Sequence, residues 1–391
     1  MSRRITCILF ALVMLSGGFG YAQKSEPKID LSLAKEVDHS IKLGLRWLYD
    51  QQEDDGSWQH YPAISALVLS SFLRAHPSIT TSEPVIANGF EFLLNCVKPD
   101  GSIFLDDMPN YNTSICLVAF KDANDPAFDE IILNAEKYLM KLQIDESEDF
   151  TADSLYYGGV GYGGDERPDL SNLQWAIEAM AIDEIETSDP EKKLTEEEKE
   201  RLEGKELFYD KALDFLAKCQ NLEDVNPEAY AQNDGGFIYE PGASKAGGTN
   251  SYGSMTYAGL KSLIYAKVDK DDERVQAAYN WICQNYSVET TPKMGTQGLF
   301  YYYQTMAKSL NALGEETIVD SRETGHQWRY ELANHLLKVQ SPEGFWVNEN
   351  GRWWENNPVL VTAYTLLALE EIAGLPETTT IKKRQMIFKP E

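Results

Sequence analysis

The chain has 391 residues, of which 62 are acidic and 35 basic, giving a formal charge of −27. So negative a surface makes nucleic acid and anionic lipid poor partners. The length and the many aromatic residues suffice for a large core.

The first element in chain order is a targeting segment. Arg3 and Arg4, the apolar run 5–15 and the small-residue pattern Gly20-Tyr21-Ala22 read as a secretory signal cleaved after Ala22. Cleavage takes the charge from −27 to −29, since the two arginines leave and no acid does. The run is too short to span a bilayer, and no later stretch approaches the ~20 apolar residues that spanning needs. Cys7 lacks a lipoprotein-type cleavage context, so the expectation is a soluble exported protein with no lipid anchor.

A repeated phrase then runs through the chain. Trp47-Leu48 is followed by Gln52, Gly56 and Trp58, and His335-Leu336 is followed at the same spacing by Gln340, Gly344 and Trp346. Weaker copies lie between: Phe92-Leu93 with Gly101, Tyr138-Leu139 with Gln143 and Gly161-Tyr162, Phe215-Leu216 with Gln220 and Gly235-Gly236, and Trp281-Ile282 with Gly298. After each glycine comes an apolar stretch, at 64–73, 112–120, 170–181, 252–266, 301–313 and 359–372. Each of the six units therefore predicts an amphipathic outer helix, a glycine turn and an enclosed inner helix. Six such pairs stack into an open solenoid or a closed ring.

The phrase G-x-x-aromatic-L-x-x-x-Q-x-x-x-G-x-W, complete at Gly44 to Trp58, resembles the QW repeat of squalene-hopene and oxidosqualene cyclases, shared more loosely by protein prenyltransferase β subunits. The similarity covers nearly all of residues 36–373. It implies an all-α fold, a closed (α/α)6 toroid of six hairpins over residues 30–375, with inner helices around a central cavity and a peripheral tail at 376–391. An acidic segment at about 183–204 breaks the register and predicts a solvated insertion or an extension of the following helix.

Those cyclases begin their reaction at a D-x-D-D segment heading an inner helix. Laid onto the third unit, it falls on Asp169-Leu170-Ser171-Asn172, so only Asp169 survives and Ser171, far too weak an acid, stands at the proton donor. The prenyltransferase zinc set of Asp, Cys and His has no counterpart either, because the last inner helix carries Leu360, Val361 and Thr362. No metal and no cofactor are expected. Cys96, Cys116, Cys219 and Cys283 form no CxxC and fall in apolar helical patterns, which predicts buried thiols.

Polar and glycine residues concentrate at 158–175 and 234–257, joined by the aromatics Tyr301 to Tyr303. Adjacent units of a ring place their inner-helix heads at one rim, so these segments predict a single pocket. Its expected walls are Tyr162, Asn172, Trp175, Tyr252, Tyr257 and Tyr302, with Asp169 and Asp165 as candidate acids. The bland reading of Asp169 is a helix N-cap, since Asp after Pro is a good N-terminal signal. Two functions follow: an enzyme acting on an isoprenoid or other apolar molecule, or a non-catalytic toroid binding a lipid, glycan or protein. The sequence names no partner protein.

Overall fold

The computed structural model describes residues 28–374 apart from 77, 164–166 and 182–193. The expected signal, the C-terminal tail, Asp165 and the first half of the acidic segment lie outside the described residues.

Twelve α-helices among the described residues form six pairs. The outer helices are α1 (Leu31–Tyr49), α3 (Pro84–Asn95), α5 (Asp129–Lys141), α7 (Glu196–Cys219), α9 (Glu273–Asn285) and α11 (Trp328–Val339). The inner ones are α2 (Pro62–Ala75), α4 (Pro109–Ala123), α6 (Leu170–Met180), α8 (Gly253–Tyr265), α10 (Leu299–Leu313) and α12 (Pro358–Ala373). Each inner helix packs on the next, and α12 packs back onto α2, so the ring closes. The one strand pair among the described residues, Ile318–Val319 with Gly325–His326, is a small antiparallel excursion before α11.

Periodicity decides which helix goes where. In α1 the buried residues Leu33, Val37, Ile41, Leu45 and Leu48 recur at the helical spacing, and Asp30 caps the N-terminus. In α12 nearly every residue from Val359 to Ile372 is buried, because one side meets the ring axis and the other the outer layer. Asn357 caps its start, with Pro358 in the first turn, and Gly374 ends it in the left-handed region.

The repeated glutamine and glycine are the joints between units. Gln52 Nε2 donates to Gly56 O in its own turn at 2.9 Å and to Val85 O in the next outer helix at 2.8 Å. Gln143 does the same with Gly158 and Phe208, and Gln220 with Gly235 and Arg274. The turn glycines have positive φ, and a Cβ on Gly56, Gly101, Gly158, Gly235 or Gly344 would strike a backbone carbonyl of the following outer helix. This corrects the third unit. Its joint glycine is Gly158, not Gly161, since a longer turn follows α5 before α6 begins.

The second half of the acidic segment extends α7 toward its N-terminus, where Thr195 and Glu198 form a capping box. Arg201 and Lys205 from that extension meet the buried Glu136 of α5 at 2.6 and 2.9 Å, joined by Lys121 of α4 at 2.8 Å. Three cations around one buried carboxylate hold its pKa well below the usual range. Cys96, Cys116 and Cys219 are buried, Cys283 is partly so, and all four are free thiols. Among the described residues no helix is long and apolar enough to cross a membrane.

Candidate functional site

A cavity of about 250 Å³ opens along the ring axis at the N-terminal ends of the inner helices. All six contribute: Ile64 from α2, Tyr111 from α4, Ser171 and Trp175 from α6, Ser254 and Met255 from α8, Tyr301 from α10, Leu360 and Tyr364 from α12. Tyr61, Met108, Tyr162, Tyr239 and Tyr252 add to the wall from the turns, and Trp353, Trp354 and Glu355 from the segment before α12. Met108, Trp353 and Trp354 hold left-handed backbone conformations, so strain is stored at the mouth. Trp353 and Trp354 are half-exposed there, and Trp354 meets Tyr61 edge to face.

Of the residues expected to line a pocket, Tyr162, Trp175 and Tyr252 do. Tyr257 and Tyr302 do not. Their rings pack edge to face at 5.5 Å, and the Tyr302 hydroxyl donates to Ser287 O just after α9, so both fill the layer between inner and outer helices. Asn172 and Asp169 lie behind the wall. Asp169, only 3% exposed, caps α6 by accepting from Asn172 N at 2.9 Å, and it accepts from Asn172 Nδ2 at 2.8 Å. Asn172 is held from its other side by Asn110 Nδ2 at 3.5 Å. Burial pushes the Asp169 carboxyl up to about 6, against the pull of the Asn172 hydrogen bonds. Its link to the cavity is indirect: the Tyr239 hydroxyl reaches Asp169 and lies 3.5 Å from the Tyr162 hydroxyl. Ser171, at the place where the cyclase pattern has its donor, is on the wall.

The carboxyl on the wall itself is Glu355, which sequence reading passed over for its neighbours Trp353 and Trp354. It is 1% exposed. Its Oε1 accepts from the backbone N–H groups of Phe300 and Tyr301 at 2.9 and 2.8 Å, in the first turn of α10, and Oε2 accepts from Asn348 Nδ2 at 2.7 Å. Burial nevertheless raises its pKa to about 7. An acid three residues before a plain apolar helix gives no local signal; its site is made by a helix start 55 positions away.

One to two turns deeper, the axis becomes charged. Glu178 of α6 receives Lys261 of α8 at 2.5 Å and Lys308 of α10, and Lys261 also donates to Gln174 Oε1. Across the ring, Arg74 of α2 meets Asp122 of α4 at 2.8 Å and Glu371 of α12 at 3.8 Å. None of these charged residues lines the cavity. Among the described residues no group of three or more His, Cys, Asp or Glu is placed to hold a metal ion.

No known protein family matches the sequence, and no curated protein matches it. Solved structures do. The type II terpene cyclase MstE from Scytonema, in complex with geranylgeranyl dihydroxybenzoate, aligns at a TM-score of 0.53 and 11% identity over 88% of this chain and 99% of its own. The same enzyme with merosterolic acid A aligns at 0.52 and 13%, over 89% and 100%. A glycosidase in complex with glucose aligns at 0.48 and 13%, over 89% and 99%. The chain thus has the all-α toroid fold of a type II terpene cyclase.

Proposed function

We propose that this chain is an exported relative of the QW-repeat cyclases and prenyltransferases that takes an isoprenoid or comparable apolar molecule into the ring, with Glu355 as general acid–base. One observation carries the reading: a mainly aromatic cavity on the ring axis has a buried carboxyl in its wall. Burying an ionisable group costs free energy, and this one is set in the wall of an otherwise mainly aromatic cavity. Asp169, reaching the cavity through Tyr239 and Tyr162, is the second acid of the proposal.

The strength of these acids selects the chemistry. Carboxyls at about 7 and about 6 give up a proton less readily than ordinary ones, by roughly 3 kcal/mol at 1.36 kcal/mol per unit. That argues against protonating an alkene and for proton exchange at an oxygen-activated position, where a pKa near neutrality is favourable. The non-catalytic reading has its own support, since both carboxyls spend acceptors on helix starts, at Asn172 N and at Phe300 and Tyr301 N.

Incubation with isoprenoid alcohols, ketones and acids in deuterium oxide, followed by mass spectrometry of the recovered ligand, separates the two. Carbon-bound deuterium or a new product, lost in E355Q, supports the enzyme. Retention of an unchanged ligand by native chain and E355Q alike assigns a binding toroid. Failure to retain any of them overturns both.

A further inference from the structure

Among the described residues, three buried nitrogen donors on inner helices beside the axial cavity have no acceptor. They are Gln174 Nε2, Trp175 Nε1 and Gln304 Nε2, on side chains at most 1% exposed. Native interiors leave few donors unmet, so three close together call for an explanation. Helical register places them. Gln174 follows the wall residue Ser171 by three positions on α6, and Gln304 follows Tyr301 by three on α10, so both lie on the axis-facing sides one turn below the cavity. Trp175 is itself part of the wall.

The surroundings match in sign. Gln174 spends its oxygen on Lys261, which leaves its amide N–H groups as the free end. Lys261 also stands 5.3 Å from the Trp175 ring, and Lys308 lies one turn beyond Gln304 on α10. The two lysines share the carboxylate of Glu178, so two ammonium groups stand on this side of the layer.

Resting on the proposed function and narrowing it, we infer that the ligand enters with an oxygen-acceptor head foremost, a carboxylate, which receives hydrogen bonds from Gln174, Trp175 and Gln304 while its apolar body lies against the tyrosine wall. An apolar molecule without such a head leaves the three donors unmet, and an ammonium head would face donors and lysines.

The test is calorimetric titration of the full chain with decanoate, decanol and decyltrimethylammonium, each below its micelle concentration. Decanoate is expected to bind about tenfold tighter than decanol, as hydrogen bonds to a charged acceptor allow. The net negative surface works against this order, so adsorption cannot mimic it. In Q174L/Q304L the preference should vanish and decanol binding should persist. W175F, which keeps a ring and removes only the indole N–H, should lose part of the preference. Equal binding of decanoate and decanol by the native chain refutes the acceptor head and leaves the apolar cavity standing. A preference surviving in Q174L/Q304L assigns the donors to internal water and also refutes it. Absence of binding by all three ligands removes the apolar-cavity reading with it.

Discussion

Gln340 in the sixth unit and Ser40 in the first hold each other twice: Gln340 Nε2 donates to Ser40 O at 3.1 Å, and Ser40 Oγ donates to Gln340 Oε1 at 2.7 Å. The same amide donates to Gly344 O at 2.8 Å. The joint that links neighbouring units along the chain is thereby reused between its two ends, and a solenoid becomes a ring. Q340L removes these bonds and strands buried acceptors, for an expected loss of about 2 kcal/mol. Urea unfolding reads the loss, and hydrogen exchange should rise in α1 and α11 before it rises in α5. An unchanged midpoint would show that closure rests on α12 and α2 alone.

The joint glycines give a second, sharper comparison. Gly158 has φ +80°, and a Cβ there would stand 1.8 Å from Lys211 O, whereas Gly247 has φ +86° with nothing within 4 Å. Both alanine variants bear the left-handed strain, roughly 1 kcal/mol. Only G158A must also push α7 away. It should fall further by at least ~2 kcal/mol, within the range of severe steric changes, and equal melting temperatures for G158A and G247A would defeat the account of the glycine as an inter-unit joint.

Much of this was legible in the sequence, for reasons that also mark its limits. The six inner helices follow from apolar stretches such as 359–372, found as Pro358–Ala373, because a helix enclosed on both sides needs apolar residues all round. That uniformity hides which side faces the axis. Tyr301 lines the cavity and Tyr302 does not, although they are neighbours separated by one helical step of about 100°. Tyr252 and Tyr257 divide in the same way. Glu355 was hidden differently, by a contact between segments far apart in the chain, which periodicity cannot report.

The charged layer makes a third prediction. Glu178 is the shared partner of two lysines that are almost fully buried, and their charges hold its carboxyl down to about 2 despite desolvation. E178Q keeps the shape and removes the carboxylate that both buried ammonium groups share, a change that costs about 3–5 kcal/mol in comparable buried pairs. Replacing all three as E178L/K261M/K308M should recover most of that loss, because apolar groups need no counter-charge. Thermal unfolding decides it: a triple variant no better than E178Q would show that the layer does more than neutralise itself.

The last prediction uses the pKa of Glu355. Unfolded, this carboxyl titrates near 4.5; folded, it titrates near 7 because burial disfavours the charged form. Between these values the unfolded chain has released the proton and the folded chain still holds it, so the unfolded state binds fewer protons and stability falls as pH rises. The contribution is complete below about pH 4.5 and gone above about pH 7. Its size is about 3 kcal/mol at 1.36 kcal/mol per unit. Asp169, moving from 3.8 to about 6, acts in the same direction over a lower window, and Glu178, held down to about 2, acts oppositely at acid pH. These terms cancel when native chain and E355Q are compared, since both variants keep Asp169 and Glu178. Urea midpoints at pH 5 and pH 8 should therefore show the native chain losing ground to E355Q as pH rises. Parallel profiles would mean that Glu355 is ionised in the folded chain throughout this range, which would also remove it as a proton donor near neutrality.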